Sequence, residues 1–120
     1  MATIETALLS LAIPRDGGLV DLNINCLIRW NEEEQNLGLR YDVTLKVWGD
    51  DRYRDDHLHT NFTTITANGE EFQDIRIVET VAKSILNEDV GKDEIYVELI
   101  FNPYRLRQFS GKTNVQKYRF

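Results

Sequence analysis

The 120-residue sequence holds one cysteine, Cys26, so it cannot close an internal disulfide. That fits a reducing, cytoplasmic setting. Its two histidines, His57 and His59, share one short stretch and offer no partner to Ser10, Ser84 or Ser110. The seven glycines form no phosphate-cradling loop, and Gly17-Gly18 reads as a hairpin turn. No apolar run approaches the roughly 18 residues that a spanning helix needs. The opening MATIETALLSLAIP carries Glu5 and no Lys or Arg, unlike a signal peptide. Basic residues are few, 14 against 20 acids, and a net charge of −6 opposes nucleic-acid binding. Alanine is scarce as well: 5, against 8 Val, 10 Ile and 9 Thr, a balance that leans towards strands. Carboxylates are plentiful but fall in turns, where nothing tunes them for acid–base work. The expectation is a non-enzymatic, soluble single domain over 1–120.

Alternation is the strongest positive signal. Val20, Leu22, Ile24, Cys26, Ile28 and Trp30 alternate with a mostly polar set, as do Leu39, Tyr41, Val43, Leu45 and Val47. Period two over ten or more residues is a half-buried strand. Between these strands NEEEQNLG reads as a polar loop closed by Gly38. LHTNFTTITA is β-rich and runs into the turn signal Asn68-Gly69, while EIYVELIFN is stopped by Pro103. Thr3–Ile13 and Ile75–Leu86 fit either period, and the β-branched run Ile75-Arg76-Ile77-Val78 favours strand. The expected strands are 3–13, 19–30, 39–48, 58–67, 72–85, 94–102 and 114–120. Seven such strands make an all-β, two-sheet antiparallel sandwich, immunoglobulin-like or C2-like. The alternative is an α+β fold with a helix near 75–88.

Strand parity then sorts the connections. Segments 14–18, 49–57 and 86–93 share one pole, and 31–38, 68–71 and 103–113 share the other. The first pole gathers Asp50, Asp51, Asp55, Asp56, Asp89 and Asp93. Calcium takes six to eight oxygen ligands, which two converging acidic loops can supply. In architecture this is similar to C2-type domains and implies calcium as a cofactor, against the plainer view that no cofactor is bound and the turns are solvated. His57 and His59, two apart on a strand, would face one side and with Asp55 suggest a transition-metal set.

The segment Asn87–Val97 resembles the approach to the tyrosine corner of immunoglobulin-type sandwiches, with Asp93 three residues before Tyr96. It departs from that family at Glu98, where a cysteine would stand, and at Tyr41, the nearest residue to the expected tryptophan.

The last 22 residues carry Arg105, Arg107, Lys112, Lys117 and Arg119 and no acid, against a net −11 before them. The connection 103–113 is long and mixes cations with aromatics. Tyr104, Arg105, Arg107 and Phe109 are therefore the expected contacts to a protein partner, with Phe109 at the surface. The leading expectation is a protein-binding or adaptor module. The alternatives are a calcium-regulated sandwich and a structural subunit that self-assembles through its terminal strands.

Overall fold

A computed structural model describes residues 2–12, 18–50, 55–86, 93–103 and 109–118. Strands β1 (Thr3–Ala12), β2 (Leu19–Arg29) and β5 (Phe72–Ala82) form one antiparallel sheet in the order β1-β2-β5. The second sheet runs β4 (Asp56–Thr66), β3 (Arg40–Gly49), β6 (Asp93–Pro103), β7 (Phe109–Lys112), with β8 (Gln116–Tyr118) also on β6. This is the immunoglobulin-like order, except that the fourth strand sits beside the third rather than on the first sheet as in constant-type domains. Strand parity sorts the poles as expected. Ala67 N–H bonds Leu39 O and Trp30 N–H bonds Glu71 O at one pole, while Asp50 N–H bonds Glu94 O and Lys83 N–H bonds Gly18 O at the other.

The alternating residues meet between the sheets. Ile24, Cys26, Ile28, Tyr41, Val43, Leu45, Val97 and Leu99 are all buried, as alternation predicts. Trp30, Tyr41, Phe101 and Phe109 form an aromatic centre, in which Phe109 stacks on Phe101 at 4.6 Å and meets Trp30 and Tyr41 edge-on. Phe109 is only 6% exposed. The expectation that it is a surface contact is therefore wrong: β7 begins at Phe109, and pairing with Phe101 turns its ring inward.

Two other expectations are corrected, and one left between two readings is decided. The segment 31–38 is not a loop throughout, because α1 (Glu32–Leu37) lies within it. Asn31 caps it through a reciprocal box: its side chain accepts from Glu34 N–H at 2.8 Å, and Glu34 accepts from Asn31 N–H at 3.2 Å. Gly38 ends the helix in the left-handed conformation, φ 57°. Buried Glu34 also accepts the Tyr41 hydroxyl at 2.8 Å, tying the helix to the core. Next, 75–82 is strand, as the β-branched run predicts, and the alternative helix near 75–88 is not formed there. Val78, which a helical stripe would bury, faces outward, and only α2 (Lys83–Leu86), a single turn, follows to bury Leu86. Finally, the strand expected at 114–120 begins earlier and is broken in the middle.

That break is a β-bulge. Glu98 faces Lys112 but Ile95 faces Gln116, so three steps along β6 are matched by four on its partner. Thr113 patches the gap: its N–H bonds Val97 O at 2.8 Å, and its hydroxyl accepts Val97 N–H at 2.8 Å. The extra residue throws the Asn114 side chain across to β1 in the other sheet. Its Oδ1 accepts Leu9 N–H at 2.6 Å and its Nδ2 donates to Leu9 O at 3.3 Å, while Gln116 Nε2 donates to the same carbonyl at 2.8 Å. Gly111 lets the chains come this close, since a Cβ there would stand 2.8 Å from Ile4 Cδ1.

Three outcomes follow from this packing. Asn114→Ala leaves Leu9 N–H without a partner at the seam and should cost about 1–3 kcal/mol in urea unfolding. Phe109→Ala empties an aromatic stack and should cost about 3–5 kcal/mol. A loss under about 1 kcal/mol at Phe109 would contradict its burial. Burial also raises the Cys26 thiol from 9.0 to about 11. A folded pKa above the unfolded one means that this group's stabilisation is complete below pH 9 and is lost as pH rises towards 11. Stability should thus fall across that window, and Cys26→Ala should flatten the slope by about 2–3 kcal/mol over it.

Candidate functional site

Of the expected partner contacts, Tyr104, Arg105 and Arg107 lie outside the described residues, as do Asp51 and Asp89 of the acidic pole. Asp50, Asp55 and Asp56 sit at that pole, and each is already engaged in an interaction. Asp93 opens β6 beside them. The Tyr96 hydroxyl donates to the Asp55 carboxylate, and burial together with that carboxylate drives the phenol well above its usual range. A tyrosine corner bonds backbone a few residues upstream, whereas this hydroxyl reaches a side chain 41 residues away. Among the described residues no three His, Cys, Asp or Glu side chains gather as a metal set.

The histidines do not share a face. Val47 faces His59 but the next residue, Trp48, faces His57, so Leu58 is an extra residue that breaks the alternation. His57 lies on the outer surface, its ring 5.2 Å from Trp48 and its Nε2 on the Thr60 hydroxyl. His59 points inward to Glu79 on β5, at 3.1 Å. Asn61 Nδ2 donates to both oxygens of the same carboxylate, at 3.0 and 2.9 Å. Glu79 thereby joins the two sheets along the side opposite Asn114.

The backbone of β4 is the unexpected feature. Antiparallel pairs alternate between bonded and unbonded positions. Because Ala67 and Leu39 are a bonded pair, the residues in step with Ala67 (Ile65, Thr63, Asn61 and His59) turn their backbone groups towards β3. Thr60, Phe62, Thr64 and Thr66 therefore turn theirs to the open edge. Two of these groups are met from within the chain. Asn61 Oδ1 accepts Phe62 N–H at 2.8 Å, and Gln73 Nε2 donates to Thr66 O at 3.1 Å. The groups of Thr60 and Thr64 on that edge meet no described residue. The side chains of this set face outward, and Phe62 is 71% exposed, beside Thr44 and in line with Ile100.

The neighbouring edge, on β5, is built differently. There the outward set is Phe72, Asp74, Arg76, Val78, Thr80 and Ala82, and Arg76 holds Asn25 while Thr80 holds Asp21. Charges on an exposed edge discourage strand addition. On β4 nothing from His57 to Gly69 is Asp, Glu, Lys or Arg. That uncharged run is the sequence signal for the edge, and it is masked by the dense charge of the loops on either side. A cleft at the α1 pole is lined by Thr3, Arg29, Asn31, Gln35 and Glu71, but Arg29 and Glu71 pair across it at 3.0 Å.

No protein-family model matches the chain, and no curated protein matches it in sequence. Among solved structures it is similar to part of a β-glucuronidase from Parabacteroides merdae. The crystal structure of that enzyme with glycerol in its active site matches with a TM-score of 0.61 and 15% identity, over 99% of this chain and 14% of that one. A second crystal structure of the enzyme gives 0.60 and 16%, again over 99% and 14%. The chain thus spans about one-seventh of the enzyme's length. At that identity the likeness is one of fold: an all-β sandwich of two antiparallel sheets.

Proposed function

We propose that the protein is a non-enzymatic protein-binding module that accepts an extended segment of its partner along β4. The observation that carries this reading is the uncharged edge at Thr60–Thr66, with backbone groups turned outward and Phe62 exposed beside them. Strand addition takes its affinity from main-chain bonds and its selectivity from alternate side chains. Here the outward set Thr60, Phe62, Thr64 and Thr66 favours a partner with β-branched or aromatic residues at every second position. The conspicuous polar side chains support a binding role over catalysis, since Glu79, Gln73 and Asn114 are each committed to joining the sheets. A fold likeness confined to 14% of a far longer chain also suits an accessory module. The lone buried thiol of Cys26, held protonated, is consistent with a cytoplasmic setting.

Selection from a displayed library of extended peptides tests the reading. The domain should enrich sequences with alternating β-branched and aromatic residues. Thr64→Pro should weaken them more than tenfold, about 1.4 kcal/mol, with the melting temperature little changed. Proline is tolerated there because the Thr64 N–H makes no bond to β3. Peptides that bind Thr64→Pro as tightly as the parent, or a failure to enrich any such peptide, would remove β4 as the binding edge.

A further inference from the structure

We propose that the occupant of the β4 edge is β4 of a second copy of this chain, so that two five-stranded sheets join into one across a two-fold axis. The proposal rests on the strand-accepting role of that edge and adds the identity of its partner.

Register is the first argument. An antiparallel pair centred on Thr63 sets Thr60 opposite Thr66 of the second copy and Phe62 opposite Thr64, and the two-fold axis repeats both pairs. All four residues with outward-turned backbone groups are then matched by residues of the same kind. Thr–Thr and aromatic–β-branched pairs are among the favourable cross-strand combinations. The Phe62 N–H must exchange Asn61 Oδ1 for the carbonyl of Thr64 in the second copy, and the Thr66 carbonyl, already held by Gln73 Nε2, must take the Thr60 N–H of the second copy on its other lone pair. Asn61 stays anchored meanwhile through its two bonds to Glu79.

Charge is the second argument. Two copies of a chain with net charge −6 repel each other, and within a screening length of about 8–10 Å the local charge decides the approach. From His57 to Gly69 no Asp, Glu, Lys or Arg occurs, so the strand itself brings no charge to the contact, and the neighbouring Glu79 carboxylate is already bonded to Asn61 and His59. On the β5 edge a second copy would meet Asp74 and Arg76 instead. An isologous contact closes at two subunits, so the expected product is a dimer and not a fibre.

Sedimentation equilibrium of the full chain tests this. The parent should pass from 14.0 kDa towards twice that mass as concentration rises through the micromolar range. Thr64→Pro and Thr64→Lys should both shift the midpoint more than tenfold upward, with melting curves unchanged at concentrations below the parent's midpoint, where every variant is monomeric, whereas Val78→Lys on the β5 edge should not shift the midpoint. Thr63→Cys should form a covalent dimer on mild oxidation, because unbonded antiparallel neighbours stand within disulfide reach. Thr80→Cys should not. A parent that stays at 14.0 kDa at millimolar concentration, or a dimer that persists in both Thr64 variants, overturns the proposal. A labelled peptide of residues 58–68 separates the two levels of the argument. If it binds the parent and not Thr64→Pro while the chain remains monomeric, the edge accepts strands but not a second copy. If it binds neither, the edge itself is not a binding site.

Discussion

An open two-sheet sandwich has four outer strands, each with a row of backbone donors and acceptors that no neighbour in its own sheet can satisfy. The arrangement of this protein depends on how those rows are met. Side-chain amides meet several of them: Asn114 and Gln116 on β1, Asn61 on β4 and Gln73 at the end of β4. An amide side chain carries the same donor and acceptor as a peptide bond, so it can stand in for the missing strand. On one side of the molecule this substitution joins β1 to the second sheet. On the other side Glu79 binds His59 and Asn61 across the gap. The sheets are therefore held together by polar contacts along both flanks as well as by the core between them.

Bulges put those groups in place. The extra residue in 113–115 turns Asn114 towards Leu9, and the one at Leu58 turns His59 towards Glu79 while leaving His57 against Trp48. Each bulge breaks the alternation once and sends a polar side chain where strict period two would have sent it to the opposite face. A third irregularity, between Ile4 and Thr6 in β1, precedes the stretch that Asn114 grips.

These same irregularities mark the boundary of what the sequence reveals. Strands whose alternation is uninterrupted, β2 and β3, are legible almost residue by residue, and so are the eight core residues and the sorting of connections between poles. Residue Val78 was ambiguous because Ile75–Leu86 satisfies both periods, and only pairing with β2 decides it. The helix α1 left a readable trace, the Asn31-x-x-Glu34 capping box, that the surrounding charge obscured. The inward place of Phe109 is hidden for a different reason: a basic, aromatic segment looks the same whether its rings point out to a partner or inward to Phe101 and Trp30. The two histidines looked like neighbours on one face because a bulge leaves no compositional mark. The β4 edge was recognisable only by an absence, its lack of charge.

The clasp of Asn114 and Gln116 on Leu9 also bears on how the chain is made. These contacts span 105 and 107 residues of sequence. During synthesis at about 5–20 residues per second, β1 emerges early and can pair with β2 at once, but its outer edge stays uncovered for several seconds more. Throughout that interval the nascent chain presents the outward backbone groups of Leu9 on a bare strand, the condition under which chains on neighbouring ribosomes are most able to pair wrongly. The late arrival of two amide side chains ends that exposure of the β1–β2 pair.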